Sequence, residues 1–102
     1  MSGINQPYEY QYEHVAASQT AQTLGGTGLA GDYIHRLCCT VTTSATGNVI
    51  ILDGTGFSHT ILPALSGIGQ FNIELNAISR NGAWKITTGA GVEVLAIGIF
   101  SA

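Results

Sequence analysis

Gln70–Asn76 reads Gln-Phe-Asn-Ile-Glu-Leu-Asn, and this stretch decides the fold class. Phe71, Ile73 and Leu75 fall on one side of an extended chain; Asn72, Glu74 and Asn76 fall on the other. Strict period-two alternation marks a strand with one buried face and one wet face. Asn81-Gly82 follows, a pair that favours the type I′ hairpin turn because that turn needs positive φ at both central residues. Trp84 and Ile86 then alternate with Lys85 and Thr87, and Gly89-Ala90-Gly91 turns the chain into a last strand, Val92–Phe100. The spacing predicts a β-meander over Gly69–Ser101.

The same signals recur upstream. Asp32–Thr43 is a predicted strand whose better core face carries Tyr33, His35, Leu37, Cys39 and Val41. Asn48–Asp53 is a second, Asp53-Gly54-Thr55-Gly56 a hairpin turn, and Phe57–Leu62 the returning strand, ended by Pro63 because proline cannot continue a ladder. Strands at roughly ten-residue spacing with turns between them argue for an all-β antiparallel sandwich or barrel rather than a βαβ fold.

Residues 1–24 differ in kind. Pro7–His14 places Tyr8, Tyr10 and Tyr12 at alternate positions, so an extended chain points all three rings one way and Glu9, Gln11 and Glu13 the other. Ala16–Thr23 is a run of small and polar residues without core periodicity. This favours an extended N-terminal arm over 1–24, ordered against a partner, and a β-sandwich domain over 25–102. A second reading makes Tyr8–Tyr12 the first strand of the domain. Gly25-Gly26-Thr27-Gly28 reads as a flexible hinge.

Composition narrows the function. Only 9% of the 102 residues are charged, against about 25% in a typical domain, while 45% are hydrophobic. A small domain so short of charge covers itself with Thr, Ser, Asn and Gln or buries surface against another chain. Net charge −3 and three Lys or Arg speak against nucleic acid and against an anionic membrane. The start, Met-Ser-Gly-Ile-Asn-Gln, lacks a basic region and an apolar core, so no secretory signal is expected and synthesis in a cytoplasm is.

The last strand is apolar on both sides. Val92, Val94, Ala96, Gly98 and Phe100 line one; Leu95, Ile97 and Ile99 line the other. Such a strand is central in its sheet or covered by a second subunit. Leu95, Ile97 and Ile99 are therefore the expected self-association residues, and Tyr8, Tyr10 and Tyr12 the expected anchors of the arm.

No catalytic constellation emerges. His35 and Cys39 share a strand face but lie about 13 Å apart by the usual rise. Ser58-His59 lacks a nucleophile elbow, and the adjacent Cys38 and Cys39 point to opposite faces of a strand. No loop gathers carboxylates for calcium, and no Cys/His spacing fits zinc. No enzyme activity, cofactor or metal is expected. Trp84 could stack a sugar ring, but its register with Ile86 favours the core.

Gly31-Asp32-Tyr33-Ile34-His35-Arg36-Leu37, Leu52-Asp53-Gly54 and Asn81–Val92 together resemble small structural proteins of tailed bacteriophages, the capsid decoration or cement proteins. The similarity covers residues 31–101 and leaves out the Tyr-rich arm. The resemblance implies a compact β-sandwich of jelly-roll type on the outside of a phage head. It implies the major capsid protein and further copies of the chain, as a dimer or trimer, as partners, and the virion as its location. The alternative is a carbohydrate- or receptor-binding β-sandwich module of a phage tail or fibre, using Trp84 and Tyr33.

Overall fold

The computed structural model describes residues 10–43, 47–65 and 67–102. These residues form no helix and eight strands: β1 (Gln11–Val15), β2 (Gln22–Thr23), β3 (Tyr33–Val41), β4 (Val49–Asp53), β5 (Ser58–Leu62), β6 (Gly69–Ile78), β7 (Trp84–Thr88) and β8 (Val92–Ile99). Two four-stranded sheets result, ordered β1-β8-β3-β6 and β2-β7-β4-β5, and every pairing is antiparallel. The pairs are nested: β1 with β8, β2 with β7, β3 with β6, β4 with β5. Both sheets feed one core, with Ile34, Leu37, Val94 and Ala96 from the first and Val49, Ile51 and Ile86 from the second.

The expected meander over Gly69–Ser101 does not form. β6, β7 and β8 are strands, but they alternate between the sheets, so neighbours in sequence do not pair. Asn81-Gly82 carries the chain across the core instead of closing a hairpin. Gly82 has φ 138° but Asn81 does not share a positive φ, so the type I′ geometry is absent. The Asp53 carboxylate holds this crossing, accepting the amides of Arg80 at 2.9 Å and Asn81 at 3.0 Å. Gly54 faces the Asn81 carbonyl so closely that a Cβ there would overlap it. β4 and β5 are the consecutive strands that do pair, through the expected Asp53–Gly56 turn. Periodicity tells which face a residue takes; it does not tell which strand lies beside it.

β3 follows the expected core face only in part. Leu37, Cys39 and Val41 are buried, but a bulge between Ile34 and Arg36 reverses the parity before them. Ile34 turns inward, while Tyr33 and His35 are left partly exposed. One extra residue in a strand is enough to exchange the faces upstream of it.

The expected arm also changes character. From Gln11 onward it belongs to both sheets, with β1 at the edge of the first and β2 at the edge of the second. Val15 and Leu24 are fully buried, so the boundary at 24–25 falls inside the packed unit. The polar run between them is tied by hydrogen bonds rather than by periodicity. Gln19 N donates to Thr88 Oγ1 at 3.0 Å, Ala21 N to Thr87 Oγ1 at 2.9 Å, and Thr88 Oγ1 to Ala16 O at 2.6 Å. Residues 1–9, including Tyr8, lie outside the described residues. Nor is Gly25–Gly28 a loose hinge. The amides of Thr27 and Gly28 donate to Ser101 O at 3.3 and 3.1 Å, and a Cβ on Gly25 would collide with that same carbonyl.

Candidate interaction surface

β8 lies between β1 and β3, a central position that explains its apolar composition. Val92, Val94 and Ala96 point inward and are buried; Leu95, Ile97 and Ile99 line the outer face of the first sheet. Residues directly opposite on antiparallel strands share a face. On one flank of β8, Tyr12 stands opposite Ile97 and His14 opposite Leu95. On the other flank, Arg36 stands opposite Ile97, Cys38 opposite Leu95 and Tyr33 opposite Ile99. β6 extends these rows with Ile78 beside Tyr33, Glu74 beside Arg36 and Asn72 beside Cys38.

Five of the six residues read from the sequence as interface residues therefore gather on one face. Tyr10, Tyr12, Leu95, Ile97 and Ile99 are neighbours in the sheet rather than two separate sets, and Tyr12 is 74% exposed. The sixth, Tyr8, lies outside the described residues. Ile78, also exposed, was missed. Counting in twos from Gln70 lands Ile78 on the wet face, so the signal was present. The bulge that brings His35 outward left no such signal.

The Ile99 end of this face is aromatic. The Tyr10 ring stacks on His35 at 4.9 Å and lies 5.8 Å from Tyr33. The Tyr33 hydroxyl donates to Asn76 Oδ1, and Asn76 Nδ2 donates to Glu74 Oε2 at 2.8 Å. Burial, then Tyr10 and the Glu74 charge, push the Tyr33 phenol above its ordinary value, so it stays a neutral donor. At the opposite end the face is polar, with His14 and Glu93 paired at 2.7 Å and Gln70 and Thr40 beside them. The result is a graded surface, apolar at one end and hydrogen-bonding at the other, which suits adhesion to another protein.

The remaining candidates sit elsewhere. Trp84 is 8% exposed and its indole N–H donates to the Asp32 carbonyl at 2.9 Å, so it is no sugar platform. Cys39 is buried and Cys38 partly exposed, and both are free thiols. His59 stacks on Phe57 at 5.8 Å beyond the β4–β5 turn. Among the described residues there is no cavity, and no group of three His, Cys, Asp or Glu side chains able to hold a metal.

No protein-family model, curated protein or solved structure matches the chain.

Proposed function

We propose that the chain is a structural virion protein, a capsid decoration or cement protein that binds the outside of a phage head and bridges major capsid protein subunits. The observation that carries this reading is the gathering of Tyr10, Tyr12, Leu95, Ile97 and Ile99 on one exposed sheet face. Full burial of a large apolar side chain is worth about 1.5–3 kcal/mol, so covering even part of this row supports a stable contact. Many identical weak contacts strengthen a shell through multivalency.

The fold we infer is a jelly-roll sandwich. Its support is the nested pairing: a chain doubled back at β4–β5 and rolled up sets first strand against last, as the two Greek keys of a jelly roll do. Tyr8 keeps its proposed part as a further anchor ahead of Tyr10. The sugar-binding alternative is weakened, since Trp84 is in the core.

Co-sedimentation with expanded, decoration-free phage heads tests the reading. The full chain binds, and Tyr12→Ser with Ile97→Asp loses binding while keeping its fold. Equal binding by that variant, or no binding by the full chain, sinks the proposal.

A further inference from the structure

The first sheet ends in a different kind of surface. β6 is its edge strand, and among the described residues no strand lies on its far side. Strands that remain single are kept short, charged or interrupted, because an open edge invites pairing. The other edges follow that rule: β1 and β5 have five residues each, β2 has two, and Pro63 follows β5 directly. β6 has no Lys, Arg or Pro and Glu74 is its one charge; Asn76, with φ 49°, interrupts only its far end, where pairing with β3 skips Leu75 and Asn76, and leaves Gly69–Glu74 regular.

The core is also open along this flank. Inward residues of β3 and β8 are buried, whereas Phe71, Ile73, Leu75 and Ala77 of β6 are only half-buried. In the other sheet His59 stands opposite the buried Ile51, so it shares the core-side face, yet it is exposed. Phe57 beside it and Ile68 before β6 are exposed by 61% and 68%.

We propose that β6 pairs antiparallel with the β6 of a second copy about a two-fold axis, joining two four-stranded sheets into one of eight strands. The axis falls near Asn72 or Ile73. Either position sets inward residues against inward residues, because antiparallel pairing about a residue preserves parity. Phe71, Ile73 and Leu75 of each copy then cover the open core of the other. Either position also keeps the two Glu74 carboxylates from standing directly opposite, and no like charges oppose the pairing. Seven paired residues at the usual rise, over two layers about 10 Å apart, cover roughly 500 Å² per copy. That gives roughly 1,000 Å² in all, the area at which a specific interface begins. The edge is consumed by the pairing, so assembly through it stops at two copies. This interface is separate from the outer face, which stays free for a partner.

Sedimentation of the full chain over a dilution series, with hydrogen exchange on the same samples, tests the pairing. At high concentration the 10.6 kDa chain is expected at about twice its mass. Within Gln70–Leu75, every second amide, those pointing away from β3, exchanges more slowly as concentration rises, while β3 amides do not change. Ile73→Lys, which can extend into water only in a single copy, sediments at single-chain mass, and Tyr12→Ser stays dimeric. Should Ile73→Lys fail to fold by circular dichroism, the exchange series on the unaltered chain decides. Single-chain mass at the highest concentration, an oligomer untouched by Ile73→Lys, or β6 exchange independent of concentration overturns the proposal.

Discussion

The Trp84 indole N–H donates to the Asp32 main-chain carbonyl at 2.9 Å, tying the first residue of β7 in one sheet to the entry of β3 in the other. The same carbonyl accepts the Ser79 amide at 3.0 Å, so it keeps a partner if the indole is lost. Trp84→Phe is therefore expected to cost about 1 kcal/mol for the hydrogen bond, with a smaller packing loss. Trp84→Ala is expected to cost about 3–5 kcal/mol. In a domain this size each kcal/mol lowers Tm by about 4–8 °C. Thermal unfolding of the two variants checks the order; equal losses would mean that the hydrogen bond, not the ring volume, carries the site.

Asp32 predicts the response to acid. Burial alone would raise its carboxyl, but the Ser101 hydroxyl at 2.6 Å, the Ser101 amide at 2.9 Å and the Leu29 amide at 3.1 Å outweigh it and lower the pKa below 3.8. A carboxylate whose folded pKa is depressed contributes stability above its unfolded value and loses it as pH falls through the folded one. The urea midpoint should drop as pH is taken from about 5 to about 2. Asp32→Asn, less stable at neutral pH, should show a shallower drop. Parallel pH profiles for the two proteins would remove Asp32 from the account.

The adjacent thiols should behave differently. Burial, and then the neighbouring Cys38, push the Cys39 thiol from 9.0 up to about 11. Thiolates are the reactive form, so Cys39 is expected to resist alkylation in the folded protein while Cys38 reacts. Mass spectrometry should find one label per native chain and two after denaturation. The linkage sign is opposite to that of Asp32. The Cys39 contribution is whole below pH about 9 and is lost as pH rises through about 11.

The faces of the strands were legible in the sequence, and their neighbours were not. Alternation in Gln70–Asn76 and Val92–Phe100 separated inward from outward residues because side-chain parity is a local property. Parity alone puts Leu95, Ile97 and Ile99 on the side of β8 opposite Val92, Val94 and Ala96. Pairing is not local: the crossing from β6 to β7 is held by Asp53, which accepts the amides of Arg80 and Asn81 27 and 28 residues away. β1 and β2 were obscured for a related reason. Their polar run is satisfied by Thr87 and Thr88, far along the chain, so no period within it reveals the sheet. The bulge in β3, which brings His35 against Tyr10, leaves no mark in composition at all.

Tyr12 and Leu24 should separate adhesion from folding. Both fall in the stretch read first as an arm, yet Tyr12 is 74% exposed and Leu24 fully buried. Leu24→Ala is expected to cost about 2–5 kcal/mol, since it opens a cavity where both sheets meet. Tyr12→Ser removes one cross-strand contact with Ile97, worth about 0.2–1 kcal/mol, and should leave the urea midpoint nearly unchanged. Deleting residues 1–24 should unfold the chain. It strips β1 from β8, removes Val15 and Leu24 from the core, and takes away Gln11 Oε1, which accepts the Phe100 amide at 2.9 Å. Urea titrations of the three variants check the set, and a stable, cooperatively folding 25–102 fragment would return β1 and β2 to the status of a dispensable arm.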